Sequence, residues 1–269
     1  MAERPTTVGP ELEVLDLEVL PAWAQPRDHG RPRSPADRLS VRALDVRYGR
    51  RMAVLDVDLR VGPGEVVALI GHNGCGKTST LRAIFGLHPT DRGEVLVNGR
   101  ETAGDGRAVG GPGMAMVLAS RTVFAELTVR ENLGLAARHE LEAVVAQRLA
   151  GVLALFPGLE ASLGRRAGDL SGGEQRMVGV GIALMSEPSV LLLDEPTRFL
   201  APAAARQVLD AVRRLADERG TGVLLADVNV AAALSIADRV YVMANGRIRS
   251  QHDPADLRAA GPTTWWHLF

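Results

Sequence analysis

The sequence predicts an α/β fold with a largely parallel β-sheet. Two nearly continuous apolar runs, "VVALIG" at 66–71 and "SVLLLDEPT" at 189–197, are typical of parallel strands buried on both faces. Between and after them lie segments with helical spacing, such as the amphipathic "AAARQVLDAVRRLADERG" at 203–220, which ends at a glycine. Alternation of strands and helices along a chain indicates crossover connections and therefore a parallel sheet.

Composition narrows the class of protein. The chain has 269 residues, of which 46% are hydrophobic and 23% charged, enough for one full domain or two small ones with a substantial core. The net charge of −1 gives no basic field that would favour nucleic acid as a partner. A single cysteine, Cys75, cannot form an intrachain disulfide and fits a reducing compartment. We expect a cytoplasmic protein, since we find neither a membrane-spanning run nor a signal-peptide pattern.

The first 38 residues differ from the rest. They are rich in Pro and Arg and lack helical periodicity, which predicts a disordered extension. Within them, "ELEVLDLEVL" at 11–20 is either part of a floppy tail or a segment that docks elsewhere. From Leu39 the chain alternates apolar and polar residues, as half-buried strands do.

Two Asn-Gly pairs lie in strand-like surroundings. "GEVLVNGRE" contains Asn98-Gly99, and "VYVMANGRIR" contains Asn245-Gly246. Asn-Gly between alternating apolar residues is the strongest short-range signal for a β-hairpin. Each pair therefore predicts a two-residue hairpin turn.

A glycine-rich segment follows the first buried strand and precedes a helix. It matches the pattern G-x-x-x-x-G-K-[ST], in which curled backbone N–H groups and the helix N-terminus hold phosphate oxygens. Lys77 is predicted to reach the β- and γ-phosphates of ATP, and the Thr78 hydroxyl to bind Mg²⁺. The predicted ATP-binding residues here are Gly71, His72, Asn73, Gly74, Cys75, Gly76, Lys77, Thr78 and Ser79.

Two residues of this loop leave alternatives open. Cys75 supplies its backbone N–H alone, or it is a thiol whose modification blocks the nucleotide. His72 contacts phosphate or is a solvated loop histidine, and the second reading is preferred because its neighbours already supply donors.

Two acidic residues end the second buried strand. Asp194 and Glu195 stand in "VLLLDEP", at the edge where open α/β sheets bind ligands. Asp194 suits the Mg²⁺ shell, and Glu195 suits a general base that polarises the attacking water. The alternative, two solvated acids at a strand end, is weakened by the phosphate loop upstream.

The block "LSGGEQRMVGVGIALMSEPSVLLLDEPT" at 170–197 resembles the signature and following acidic strand of ATP-binding-cassette (ABC) ATPases. The similarity extends over nearly all of 39–250. The stretches "VFAELTVRENL" and "LFPGLEASLGRRAGDLSGGEQ" look most like the ATP-binding subunit of importers for branched-chain amino acids, urea or short amides. The resemblance implies a P-loop NTPase fold: a mixed, largely parallel core sheet with helices on both faces, an antiparallel β subdomain and a small α-helical subdomain.

The resemblance also implies roles for matching positions. Tyr48 corresponds to the aromatic residue that stacks on adenine; the alternative is an ordinary strand aromatic. Ser171, Gly172, Gly173 and Glu174 correspond to the signature, which acts in trans on ATP held by the opposite protomer. A Ser-Gly-Gly helix start offers a hydroxyl, N–H donors and a favourable dipole. A head-to-tail dimer with two ATP molecules at its interface is therefore expected.

The implied organisation has three parts. Residues 1–38 form the extension, 39–250 the ATPase domain with its helical subdomain at about 120–168, and 251–269 a C-terminal tail. The implied partners are transmembrane permease subunits, which meet the helical subdomain near "SRTVFAELT", and a second ABC ATPase subunit. The implied location is cytoplasmic, on the inner face of the membrane. The Trp-rich tail either folds back on the domain or anchors a partner.

Two positions depart from the family pattern. Ala119 stands where relatives have Gln or Glu, and Val228 where they have His or Gln. Neither side chain can hydrogen-bond a γ-phosphate, a metal or water, which predicts slow hydrolysis. A one-residue shift would place Ser120 or Asn229 there instead. Arg198, Phe199 and Leu200 also replace small residues expected at the dimer seam.

Three functions remain open. The first is the ATPase subunit of an amino-acid or amide importer. The second is a weakly hydrolysing cassette, acting as the passive half of a heterodimer or as a regulator. The third is a soluble ABC protein of DNA repair or translation, which is disfavoured because such proteins need tandem cassettes or long coiled-coil insertions.

Overall fold

Two β-sheets form the framework of the molecule. The computed structural model describes residues 37–102, 110–111, 113–120 and 123–265. Within these residues, one sheet has six strands and the other has four. The segment at 11–20 and the end of the tail at 266–269 lie outside the described residues.

The six-stranded sheet has the order β10-β9-β3-β8-β7-β6. All neighbouring pairs are parallel except β9 and β10, which are antiparallel. Both predicted apolar runs are confirmed as strands whose residues are all buried. The strands are β3 (Val66–Ile70), β6 (Met114–Val117), β7 (Val190–Asp194), β8 (Gly222–Ala226), β9 (Arg239–Ala244) and β10 (Arg247–His252).

The four-stranded sheet is antiparallel and has the order β2-β1-β4-β5. Both predicted hairpin turns are confirmed. Asn98 and Gly99 have φ values of 50° and 73°, and Asn245 and Gly246 have 50° and 77°, as a type I′ turn requires. The strands are β1 (Leu39–Tyr48), β2 (Arg51–Val61), β4 (Arg92–Val97) and β5 (Arg100–Glu101).

Helices cover both faces of the large sheet. The amphipathic segment predicted near 203–220 forms the longest described helix and ends at Gly220, whose φ is 65°. The helices are α1 (Lys77–Phe85), α2 (Val129–Leu135), α3 (Glu142–Leu155), α4 (Gly172–Leu184), α5 (Pro202–Arg219), α6 (Val230–Ile236), α7 (Pro254–Ala260) and α8 (Pro262–Trp265). Helices α2 and α3 fall within the expected helical subdomain.

Strand β3 separates two apolar cores. Its alternate residues Val66, Ala68 and Ile70 face the core shared with α2, α4 and α5, whereas Val67 and Leu69 face the core shared with α1 and the small sheet. The pleat of a strand sends successive side chains to opposite faces, so one short apolar strand serves both cores. This burial fixes the position of the loop that follows β3.

The described part of the tail folds back on the domain. Trp265 is partly buried against the core of α2, α4 and α5, and its indole Nε1 donates to the Leu257 carbonyl at 2.8 Å. An indole that is buried on one side and hydrogen-bonded through its N–H is well satisfied. For Trp265, the folded-back alternative is the one observed.

Candidate functional site

The phosphate loop connects β3 to α1, as the motif predicts. Gly74 and Gly76 have φ values of 79° and 118°, which side chains rarely allow. A Cβ at Gly76 would lie 2.7 Å from the Ala53 carbonyl oxygen, and one at Gly71 would collide with the Met243 carbonyl oxygen. Glycine is therefore required both by the curl of the loop and by the close approach of two strands.

Lys77 lies at the centre of the loop. Its side chain is nearly buried, and Nζ donates to the carbonyl oxygens of Gly71 at 2.7 Å and His72 at 3.0 Å. A buried ammonium group needs such partners to offset lost hydration. The loop therefore holds a positive charge at a fixed place beside its own N–H groups, an arrangement suited to an oxyanion.

The burial of Cys75 and the exposure of His72 bear on the two alternatives for each residue. The Cys75 side chain is buried, with Sγ 3.8 Å from Lys77 Nζ, so the thiol faces the protein interior. The His72 side chain is exposed, and its Nδ1 lies 2.8 Å from the Asn73 carbonyl oxygen. A buried thiol leaves the backbone N–H as the group that Cys75 offers to a ligand, and an exposed imidazole fits a solvated His72.

Asp194 and Thr78 bring β7 against the start of α1. The Thr78 hydroxyl donates to Asp194 Oδ1 at 2.9 Å. Burial raises the pKa of Asp194 above its ordinary value, the Thr78 hydrogen bond opposes this, and the neighbouring Glu195 charge adds to the increase. Two oxygen atoms of the kind that hard cations prefer thus meet beside the phosphate loop.

Glu195 begins the turn after β7 in a left-handed conformation, with φ of 46°. Its backbone N–H donates to the Ala226 carbonyl at 2.7 Å, which ties the turn to β8. Its carboxylate accepts a hydrogen bond from Arg198 Nη1 at 2.8 Å. The side chain is buried apart from this edge and borders the cleft in front of the phosphate loop.

A cleft of about 530 Å³ joins these elements. It is bordered by most of the phosphate loop, by Glu195 and by parts of β1, β2 and the β9–β10 turn. The described lining residues are Tyr48, Arg51, Met52, Ala53, Asn73, Gly74, Gly76, Lys77, Thr78, Ser79, Glu195, Asn245 and Gly246. Tyr48 is 43% exposed, and its ring stacks on His88 with 4.1 Å between the centroids.

The signature residues lie at the start of α4. Ser171 is the N-cap: its hydroxyl accepts from the Glu174 N–H at 3.3 Å and donates to the Glu174 carboxylate at 2.7 Å. Hydrogen bonds from the Ser171 hydroxyl and N–H lower the pKa of Glu174. Ser171 and Gly172 are exposed, so the helix start is open to another molecule. None of the signature residues is among the described residues that line the cleft.

The predicted switch positions also lie outside the set of described residues that line the cleft. The Ala119 carbonyl accepts from Arg176 Nη2 at 2.8 Å, and the Val228 side chain is 39% exposed. Asn229, the alternative for Val228, is engaged as the N-cap of α6. Ser120, the alternative for Ala119, is exposed.

Several residues at the site escape prediction from sequence. The Asn245-Gly246 turn carries a hairpin signal but no sign that it borders the cleft; the Gly246 N–H reaches the Cys75 carbonyl at 2.8 Å. Arg176 is nearly buried and donates to the carbonyl oxygens of Leu118 and Ala119. Its positive charge also interacts electrostatically with the carboxylates of Asp194, Glu195 and Asp227. The pKa of Arg176 is lowered by burial, which those acids oppose.

Asp227 is a further buried acid. It accepts from the Thr197 hydroxyl at 2.7 Å and from the Asn229 N–H at 2.9 Å. Burial raises its pKa in spite of these hydrogen bonds. Asp227 thus links the turn after β7 to the turn after β8, a role that its position in "LLADVNV" does not reveal.

Comparisons with known proteins agree with this geometry. Residues 54–198 match the model of the family described as ABC transporter. The chain is 39% identical over 225 residues to the high-affinity branched-chain amino acid transport ATP-binding protein BraG of Pseudomonas aeruginosa, covering 83% of this chain and 96% of that one. It is 37% identical over 206 residues to a probable branched-chain amino acid transport ATP-binding protein, LivF, of Archaeoglobus fulgidus, covering 76% and 87%.

A further relative and a solved structure are also similar to this chain. A sulfate/thiosulfate import ATP-binding protein, CysA, of Caulobacter vibrioides is 34% identical, with 84% of this chain and 68% of the relative covered. A solved ATP-binding subunit of an ABC transporter superposes with a TM-score of 0.73 at 30% identity, covering 86% of this chain and 98% of that chain. No helix among the described residues has the length and hydrophobicity to cross a membrane. The chain therefore belongs to the ABC transporter family of nucleotide-binding cassettes, with the P-loop NTPase fold that its sequence predicts.

Proposed function

We propose that this chain is the ATP-binding subunit of an ABC importer and that ATP hydrolysis at its cleft drives transport. One observation carries the proposal: the phosphate loop with its buried Lys77 and the Glu195 carboxylate border one cleft, and Asp194, next to Glu195, is hydrogen-bonded to Thr78 at the end of the loop. Phosphate-binding donors and acids at one cleft supply binding and hydrolysis together.

The loop N–H groups and Lys77 hold the β- and γ-phosphates, and Tyr48 borders the place for adenine. Thr78 and Asp194 fit Mg²⁺, because both present oxygen atoms and stand 2.9 Å apart. No cluster of three or more His, Cys, Asp or Glu suited to a metal occurs among the residues described. A nucleotide-bound Mg²⁺ needs no such cluster, since phosphates and water complete its shell; when bound, it neutralises charge on the phosphates.

Glu195 acts as the base. It takes a proton from water as the water oxygen bonds to the γ-phosphorus. The bond between that phosphorus and the β–γ bridging oxygen breaks, which gives ADP and phosphate. Lys77 and the loop N–H groups stay in place and stabilise the charge that develops on the leaving oxygen.

The functional unit is a head-to-tail dimer. Ser171 and Gly172 are exposed at the start of α4, where N–H groups and the helix dipole favour an anion. In the dimer they face the ATP held by a second cassette, and the Ser171 hydroxyl exchanges its bond to Glu174 for one to phosphate. The dimer sits on permease subunits at the cytoplasmic face of the membrane.

The solute is a branched-chain amino acid or a related small polar molecule. The similarity to BraG and LivF, both named as branched-chain amino acid transport proteins, supports this class, and both relatives are covered over most of their length. The sulfate importer subunit at 34% identity is the competing indication. Coexpression with permease subunits of the source organism, followed by uptake of labelled leucine and sulfate into vesicles, separates the two.

A second candidate function is a weakly hydrolysing cassette that pairs with an active one. Ala119 and Val228 favour it, because neither side chain can hydrogen-bond water or phosphate. Mg²⁺-ATP hydrolysis by the purified chain and by Glu195→Gln, with ATP binding measured in both, decides between the two. Turnover in the wild type alone supports the ATPase. Binding without turnover in both supports the passive cassette.

A further inference from the structure

An ion pair joins Arg198 to the proposed base. Arg198 Nη1 donates to Glu195 Oε2 at 2.8 Å across one turn of chain. The Glu195 side chain is 11% exposed and the Arg198 side chain 48%, so the arginine approaches the carboxylate from the solvent side. Charge-assisted bonds of this length are among the stronger hydrogen bonds in proteins.

Two features hold Arg198 in this position. Its backbone N–H donates to the Glu195 carbonyl at 3.1 Å, which closes the turn. Its guanidinium lies over the Phe199 ring, 4.6 Å from the centroid. Phe199 itself is 90% exposed and has a φ of 61°.

Both ends of this turn adopt backbone conformations that side chains disfavour. Glu195 and Phe199 have positive φ values, and the intervening Thr197 is fixed by its hydrogen bond to Asp227. Strain of this kind persists only where the surrounding structure imposes it, and it concentrates at functional turns. The turn therefore presents Arg198 to Glu195 as part of a defined arrangement.

The pair affects what Glu195 can do. A general base must have a free lone pair within reach of the attacking water. The guanidinium occupies Oε2 and so holds the carboxylate in the orientation of the ion pair. Arg176, whose charge also acts on Glu195, is committed to the carbonyl oxygens of Leu118 and Ala119.

We propose that Arg198 is a positioning residue that restrains Glu195 in the isolated cassette, so that the pair must open before Glu195 can accept a proton from water. This inference rests on the proposed function of Glu195. It adds a cause of slow basal turnover that is independent of Ala119 and Val228, and it assigns that cause to a single removable contact.

The test compares Mg²⁺-ATP hydrolysis and ATP binding by the full chain and five variants, of which Glu195→Gln sets the level without the base. Arg198→Leu removes the restraint, and we expect kcat to rise roughly three- to tenfold with KM within about twofold of the wild type. Arg198→Lys keeps a charge near Glu195 and is expected to stay closer to the wild type. The matched control is Arg214→Leu: Arg214 is 47% exposed and pairs with Glu218 at 3.1 Å on α5, where no change is expected.

The double variant Glu195→Gln/Arg198→Leu shows whether the gain passes through Glu195. We expect it to be as inactive as Glu195→Gln alone. The proposal is overturned if Arg198→Leu matches Arg214→Leu, if it loses activity toward the Glu195→Gln level, or if the double variant keeps the gain.

The outcome for Arg198 is distinguishable from the outcome for the proposed function. If the wild type hydrolyses ATP, Glu195→Gln does not, and Arg198→Leu equals the wild type, the restraint fails while the ATPase stands. If all variants bind ATP and none turns over, the restraint is overturned together with hydrolysis. If the wild type and Arg198→Leu behave as expected but leucine uptake fails, the restraint stands and only the transport assignment is lost.

Discussion

The Thr78 hydroxyl and Asp194 Oδ1 are 2.9 Å apart although the residues are separated by 116 positions in the chain. The contact joins the start of α1 to the carboxyl end of β7. The two elements are adjacent because β3, the strand that leads into α1, and β7 belong to the same parallel sheet. It places two oxygen atoms side by side at the cost of burying a carboxylate.

Replacing Asp194 by Asn should stabilise the metal-free protein at neutral pH and abolish Mg²⁺-dependent hydrolysis. Burial raises the pKa of Asp194 above its ordinary 3.8, so between the two values the folded state binds more protons than the unfolded state. Stability therefore falls as pH rises through this window, and the penalty is complete above the folded pKa. Asp194→Asn removes the ionisation and keeps an oxygen for Thr78.

Melting temperatures in EDTA from about pH 4 to pH 8 check this expectation. The advantage of Asp194→Asn should grow as pH rises and vanish toward pH 4. Asp210→Asn, at an exposed position of α5, is the control and should show no such trend. A variant that loses stability at every pH would contradict the role of burial.

Gly93→Ala should destabilise the small sheet strongly. Gly93 has a φ of 110°, and an added Cβ would lie 2.7 Å from both the Arg42 carbonyl oxygen and Leu44 Cα. These are backbone atoms of β1 at its irregularity opposite β4 and cannot move aside easily. We expect a loss of about 2–4 kcal/mol in the free energy of unfolding.

Gly99→Ala is the matched control for Gly93→Ala. Its φ is 73°, but no atom lies within 4 Å of the added Cβ, so only the backbone term of about 1 kcal/mol applies. Denaturant titration of both variants measures the difference. Equal losses in the free energy of unfolding would mean that the close approach of β1 to Gly93 does not contribute to the destabilisation.

Much of the site is predictable because its parts are local motifs at the ends of buried strands. The apolar runs of β3 and β7 identify two parallel strands, and the phosphate loop and the acids follow them directly. Parallel strands end at one edge, so the motifs had to meet. The Asn-Gly turns were predictable for the same reason, since their conformation depends on two adjacent residues.

The remaining residues of the site are placed by contacts between distant parts of the chain, which no local sequence pattern encodes. Gly246 borders the cleft because its turn bonds to Cys75, 171 positions away. Arg198 is three residues from Glu195, but its direction follows from the positive φ values of Glu195 and Phe199, which their residue types do not favour. The actual position of Arg176 depends on two carbonyl oxygens at the end of β6.

Thr197→Val should cost more stability than Thr221→Val. Both hydroxyls are buried, but Thr197 donates to the Asp227 carboxylate at 2.7 Å and Thr221 to the Pro188 carbonyl at 3.2 Å. Loss of a donor to a buried charge costs about 2 kcal/mol, and loss of one to a carbonyl about 1 kcal/mol. Since the Thr197 bond opposes the raised pKa of Asp227, the Thr197→Val deficit should widen as pH rises above the ordinary aspartate value.

Chemical denaturation of these two threonine variants at about pH 5 and pH 8 provides the measurement. Thr221→Val should show the same deficit at both values. A Thr197→Val deficit that narrows with pH would show that another group satisfies Asp227.

Phe199 offers a test of the strained turn through stability as well as activity. Phe199→Gly and Phe199→Ala both remove the exposed ring and its contact with Arg198, but only glycine relieves the φ of 61°. We expect Phe199→Gly to be more stable than Phe199→Ala by about 1 kcal/mol. At Phe124, which is 62% exposed and is not among the residues with positive φ, the order should reverse, because glycine has the greater entropy to lose on folding.

Both Phe199 variants free the Arg198 guanidinium from its aromatic support, so they should raise ATP turnover alike. A gain in the glycine variant alone would assign the effect to backbone strain instead of to Arg198.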